Sequence, residues 1–157
     1  MRRPLVYAAM LPGLLLLAGC KAKAPGKAET AVIVAVKHHV TVGDKSLKNP
    51  LPQNSATLAD GKEAFGHYCV ACHGNDGQNT GVPFAERLSP PAPSLASRDV
   101  QDYTDGQLKW VINYGLWPSG MPGAKDILSD DEQWSIVVYL RHLPPAGSQG
   151  TPEMYTH

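Results

Sequence analysis

Cys69, Cys72 and His73 stand in the run C-V-A-C-H. A C-x-x-C pair followed at once by histidine is the attachment signature of a c-type haem. The spacing meets a chemical need. Thiols three positions apart lie on one side of a helical turn, where each can add to a haem vinyl group. The next residue then brings an imidazole beneath the iron. A dithiol redox centre and half of a zinc site are the competing uses of such a pair. A dithiol centre does not need the histidine. The sequence also has no second C-x-x-C and no H-x-x-x-H with which to complete a zinc tetrahedron.

There are three cysteines, and Cys20 is the one left over. It ends L-A-G-C, directly after an apolar run. Arg2 and Arg3 form a basic start, and Leu5 to Ala18 form an apolar segment short for a transmembrane helix. We read residues 1–19 as a secretory signal. Leu17-Ala18-Gly19-Cys20 is similar to a bacterial lipobox, which implies cleavage before Cys20 and lipid on its thiol and new amino group. An ordinary signal peptide or an uncleaved anchor is the alternative. Each of these exports the domain, and attachment of c-type haem requires export. With two thiols on haem and one on lipid, no disulfide is available.

Charge excludes one class of partner. Fourteen Lys and Arg balance fourteen Asp and Glu, and no basic stripe appears, so nucleic acid is not a partner. Fourteen prolines and fifteen glycines predict long loops around the haem.

The chain divides into residues 1–19 (signal), 20–56 (tether and extended arm), 57–145 (haem domain) and 146–157 (irregular tail). Within the arm, residues 21–29 are a polar tether and Thr30 to Val42, rich in Val and Ile, reads as a strand. Asp44 to Ser55 carries Pro50 and Pro52 and reads as extended. Three helices follow. The first covers Ala59 to about Cys69, capped by Thr57 or Asp60, with Gly61, Phe65 and Cys69 on one face. The second begins at Thr104 in a T-x-x-Q box with Gln107, buries Leu108, Val111 and Ile112, and stops at Gly115. The third begins at Ser129 in an S-x-x-E box with Glu132 and ends before Pro144. Arg141 and His142 there suit its negative end.

In this order the stretches G-K-E-A-F-G-H-Y-C-V-A-C-H-G, P-A-P-S-L, D-G-Q-L-K-W-V-I-N-Y-G, S-G-M-P and L-S-D-D-E-Q-W-S-I-V-V-Y-L-R-H-L resemble class I cytochrome c. The likeness is to small bacterial monohaem domains related to oxidase cytochrome subunits, and it covers residues 58–143. It implies an all-α fold of three to five short helices wrapped around one covalent haem c. The first and last helices would cross near Gly61, Phe65 and Tyr139.

The resemblance also implies the iron's second ligand. Met1 and Met10 leave with the signal, so Met121 and Met154 remain. Met121 sits in G-M-P, where the family places its distal thioether, between Gly120 and Pro122, which tighten the loop. Met154 lies in the tail. The acceptor for the proximal imidazole N–H would be a proline carbonyl, Pro93 first, with Pro83 and Pro91 as rivals. Trp110, Tyr114 and Trp117 are candidate haem-pocket aromatics, Trp110 foremost, though each serves equally as ordinary core. The other histidines have plain roles; His38 and His39 would face opposite sides of a strand and hold no shared metal.

Three functions fit such a chain. The first is an electron carrier on the periplasmic side of a bacterial membrane, anchored at Cys20 and exchanging electrons with donor and acceptor proteins. It would act on no small-molecule substrate and would not be an enzyme alone. The second is a fixed haem subunit of a quinol-oxidising or terminal oxidase complex. The third is an open-iron sensor or peroxidase, disfavoured by Met121. Near-zero net charge predicts docking through a local patch with weak salt dependence, with Lys109 and Lys125 as candidates.

Overall fold

A computed structural model of the chain describes residues 26–36, 42–88, 91–116 and 119–148. Cys20, Trp117, Met154, His38, His39 and His157 lie outside these. Six α-helices occur among the described residues: α1 (Lys27–Val36), α2 (Ser55–Tyr68), α3 (Val70–His73), α4 (Arg98–Gln101), α5 (Asp105–Tyr114) and α6 (Asp130–Arg141). A short 3₁₀ turn spans Ala85–Arg87. No strand occurs among the described residues. The β pairing present is one isolated bridge, Leu116 to Met121. The expected all-α architecture is therefore the one observed.

The expected strand is overturned. The segment read as a strand over Thr30 to Val42 is helical through Val36. A strand needs a neighbour for its backbone groups, whereas a helix satisfies its own. Helix formers at Lys27, Ala28 and Glu29 start the turn, and the Val/Ile run is carried along. α1 straddles the boundary between a unit ending at Ile33 and one beginning at Val34. Ala28, Ala31, Val32, Ala35 and Val36 fall on one stripe of it, and all are exposed.

The main unit is built on the crossing of α2 and α6. α2 begins earlier than expected. Asn54, not Thr57 or Asp60, is its N-cap, accepting from the Thr57 amide at 2.9 Å. Pro52 keeps the preceding chain extended, so the first available cap is used. Phe65 on α2 meets Tyr139 on α6 with ring centroids 5.1 Å apart. Ile136 and Val137 are fully buried in the same core, and Val138 is fully buried as well. Each such side chain contributes about 1.5–3 kcal/mol by leaving water. The crossing is close because Gly61 has no side chain: a Cβ there would run into the Ser135 carbonyl.

α5 and α6 begin as the sequence prescribes. Thr104 and Gln107 form a full capping box, as do Ser129 and Glu132. Gln107 is itself buried. Its Oε1 accepts from the Thr104 amide while its Nε2 donates to the Val42 carbonyl. The segment read as an extended arm is thereby tied to the domain. Val42 is buried, the Lys45 carbonyl accepts from the Thr104 hydroxyl, and Asn49 donates to the Trp134 carbonyl. Arg141 closes the other end, bonding to Asp105, to the Gln101 carbonyl and side chain, and to the Tyr103 carbonyl.

Candidate functional site

α2 ends at Tyr68, and Cys69 both caps it and starts α3. The amides of Cys72 and His73 both return to the Cys69 carbonyl, at 3.2 and 3.0 Å. This single turn is the helical geometry the two thiols require. Both cysteines are unpaired and half-buried. Burial pushes the Cys69 thiol up to about 12, with Cys72 adding to the shift. Among the described residues, no three His, Cys, Asp or Glu side chains gather as a metal cluster.

His73 is buried, and burial pulls its pKa down, opposed in part by the Pro93 carbonyl. Of the three prolines weighed, only Pro93 bears on the His73 shift. Its Nδ1 is buried and makes no hydrogen bond. An imidazole held in this way is a candidate metal ligand.

Two loops place Pro93. After His73 the chain turns at Gly74, φ 71°, where a Cβ would crowd Asp76 and the Thr80 backbone. Asn79, also left-handed at φ 62°, donates its amide to the His73 carbonyl at 2.9 Å. Its side-chain Nδ2 donates to the Ala92 carbonyl at 2.6 Å. Leu95 N then bonds the Gly77 carbonyl at 2.7 Å. These bonds fix the chain on both sides of Pro93.

Met121 sits in a second closed loop. Leu116 N donates to the Met121 carbonyl at 3.1 Å, and the Ser119 hydroxyl bonds both the Leu116 carbonyl and the Met121 amide. The glycines that permit this closeness are Gly115 and Gly123 more than Gly120. A Cβ on Gly115 would enter the Met121 and Pro122 backbone, and one on Gly123 would stand 2.7 Å from the Asn113 carbonyl. Gly120 supplies only its φ of 81°, with no close neighbour.

Cys69, Val70, Leu95, Trp110, Leu116 and Met121 are all partly buried against the same core. Trp110 lies 5.2 Å from the Tyr114 ring. Its indole is covered by Gly43, where a Cβ would approach Nε1 to 2.9 Å. Two free thiols on one turn, a buried imidazole and a thioether in a fixed loop make a donor set that fits haem c. Cys69 and Cys72 would hold it covalently, with His73 and Met121 available to its iron.

The cationic candidates separate. Lys109 is drawn onto Asp130 and lies 5.6 Å above the Trp134 ring, its side chain 13% exposed. Lys125 is exposed and lies over Tyr114. Sequence reasoning passed over Asn79, Asn49 and the Arg141 network. For Asn79 a signal existed, since asparagine before T-G marks a tight turn able to take positive φ.

Fold and site together define a class I cytochrome c domain, the class that carries covalent haem c. The chain belongs to the family described as cytochrome c oxidase, cbb3-type, subunit III, whose model matches residues 56–140. Among curated proteins it is similar to the thiosulfate dehydrogenase of Stutzerimonas stutzeri (strain A1501). They are 28% identical over 96 residues, which is 58% of this chain and 29% of that protein. Among solved structures it is similar to a chain of the Kuenenia stuttgartiensis reducing HAO-like protein complex. The TM-score is 0.52 at 24% identity, covering 64% of this chain and 49% of that one. The chain thus spans half or less of the length of either protein.

Proposed function

We propose that this chain is an exported, membrane-anchored monohaem cytochrome that carries single electrons between redox proteins, with His73 and Met121 as the residues that would ligate the haem iron. The observation that carries the reading is a buried imidazole on the C-x-x-C turn, with a thioether elsewhere in the chain in a loop closed by its own backbone. The haem, when bound, supplies the reversible Fe(III)/Fe(II) couple. The protein's residues hold it rigid. Cys69 and Cys72 tether it, Pro93 orients the His73 ring, and the Leu116–Met121 bridge limits how far the thioether can withdraw. A soft sulfur ligand would favour the reduced state, and an iron held by both His73 and Met121 would not take substrate. Those properties suit electron transfer.

Anchoring is supported by the lipobox-like run before Cys20 and by the exposed apolar stripe of α1. No helix among the described residues is long and apolar enough to cross a membrane. Acylated Cys20 is the proposed hold on the periplasmic face. A second reading, a permanent subunit of a larger oxidoreductase, is favoured by the oxidase family description and by a structural relative that belongs to a complex.

Absorption spectra of the matured protein, oxidised and reduced, with and without carbon monoxide, test the ligation. A low-spin spectrum with a weak far-red sulfur-to-iron band and no rapid carbon monoxide binding is expected. A high-spin or carbon-monoxide-reactive haem overturns it in favour of a sensor or peroxidase. Purification from the native membrane with or without stoichiometric partners separates carrier from subunit.

A further inference from the structure

We infer that α1 makes a second, non-covalent contact with the membrane, lying along an anionic bilayer surface with its apolar stripe in the lipid. The inference rests on the reading of Cys20 as an acylated anchor and goes beyond it.

The stripe lacks a cover in water. Val32 and Val36, one turn apart, are 63% and 48% exposed. Ala28, Ala31 and Ala35 complete the same face and are exposed too. From Ala31 to Val36 the sequence runs A-V-I-V-A-V, with no polar residue. A ten-residue helix is marginal in water by itself, and valine and isoleucine do not rank among the strongest helix formers. Such a helix owes most of its stability to whatever covers its apolar side.

Chain length brings a bilayer to it. Residues 21–26 separate Cys20 from Lys27, the first residue of α1. Even fully extended, that stretch spans no more than about 25 Å. An acylated Cys20 therefore keeps the start of α1 close to the headgroups. α1 itself is about 15 Å long, roughly half the hydrocarbon thickness, so it can lie along the surface but not cross.

Charge selects the kind of surface. Between Cys20 and Lys37 the sequence carries Lys21, Lys23, Lys27 and Lys37 against Glu29 alone. The whole chain is neutral, so this cationic excess is local. Apolar residues beside lysines match acyl chains beside negative headgroups. A protein partner would have to offer an apolar groove and an acidic rim at the same short distance from the anchor. An anionic bilayer offers both there already.

The test uses the full-length holoprotein and its Val32→Gln/Val36→Gln variant. Glutamine keeps helix propensity and removes the apolar contact. Intact mass is read first. An unmodified Cys20 sinks the anchor reading, whatever α1 does. Hydrogen exchange of the α1 amides is then followed on phosphatidylcholine vesicles with and without phosphatidylglycerol. In the parent, exchange is expected to be several-fold slower on the phosphatidylglycerol vesicles than on phosphatidylcholine alone, and the double variant is expected to lose that protection. Equal exchange in parent and variant, or on the two lipids, overturns the inference. Protection seen in native membranes but not on vesicles gives the stripe to a protein and overturns it as well. If the variant does not mature with haem, the comparison of the two lipids decides alone.

Discussion

Gly61 and the Ser135 carbonyl occupy the point where α2 and α6 touch, and the space between them excludes even a methyl group. The obstacle is backbone, which cannot rotate away. Alanine normally favours a helix over glycine by about 1 kcal/mol, but here the clash must win. Gly61→Ala is expected to destabilise by about 1–3 kcal/mol, the usual range for overpacking. Gly66 lies on the same helix with nothing near its missing Cβ. Gly66→Ala should stabilise by about 0.5–1 kcal/mol. Denaturant melts of the two holoproteins should move in opposite directions; movement the same way would refute the close crossing.

The start of α6 should respond to acid. Hydrogen bonds from the Ser129 side chain and backbone hold the Glu132 carboxyl below its ordinary value of 4.5. A lowered folded-state pKa means the contribution is complete above 4.5 and fades as pH falls through the folded value. The group is exposed, so the effect is small. Thermal melts of parent and Glu132→Gln between pH 6 and about 3 should converge on acidification. Parallel curves would show that the cap charge does not matter.

Tyr103 should act at the opposite extreme. Burial, then the nearby Asp99 charge, pushes its phenol up from 10 to about 12. A raised pKa stabilises fully below 10 and is lost as pH climbs through about 12. Tyr139 is also raised, by burial and then Asp76, so the parent's alkaline loss contains both. Tyr103→Phe is expected to keep part of that loss and remove the rest. An unchanged alkaline transition would place the titration elsewhere.

Met121→Ala tests the distal ligand directly. Covalent haem should survive, since both thiols remain. The potential should fall on the order of 0.1 V, within the roughly 0.8 V that axial ligands command. Carbon monoxide should then bind the reduced protein readily. A parent-like spectrum and potential would assign the ligand to another residue.

What was legible in the chain was local or covalent. C-V-A-C-H needs no tertiary context, and the boxes at Thr104 and Ser129 are complete within four residues. The Gly61–Phe65–Tyr139 crossing came with the family pattern. The failures have two causes, local alternatives that the pattern did not rank and long-range partners that it could not show. Propensity alone favoured a strand at Thr30 to Val42, but propensity supplies no partner strand. Thr57 resembles a cap until Asn54 takes the first turn. Arg141 looked like a cation at a helix end, and its targets at Asp105, Gln101 and Tyr103 lie 36 to 40 positions away. Gln107 was read as half of a cap, and its hold on Val42 spans 65 positions.

The grip of Gln107 on Val42 bears on how this cytochrome could be moved between proteins. Recombination that joined a partner at residue 56, where family likeness starts, would leave behind a buried valine, the cover over Trp110 and the Asn49 tie to α6. The inheritable module is therefore longer than its recognisable part, and a graft that respects only the recognisable part would arrive with its core open on one side.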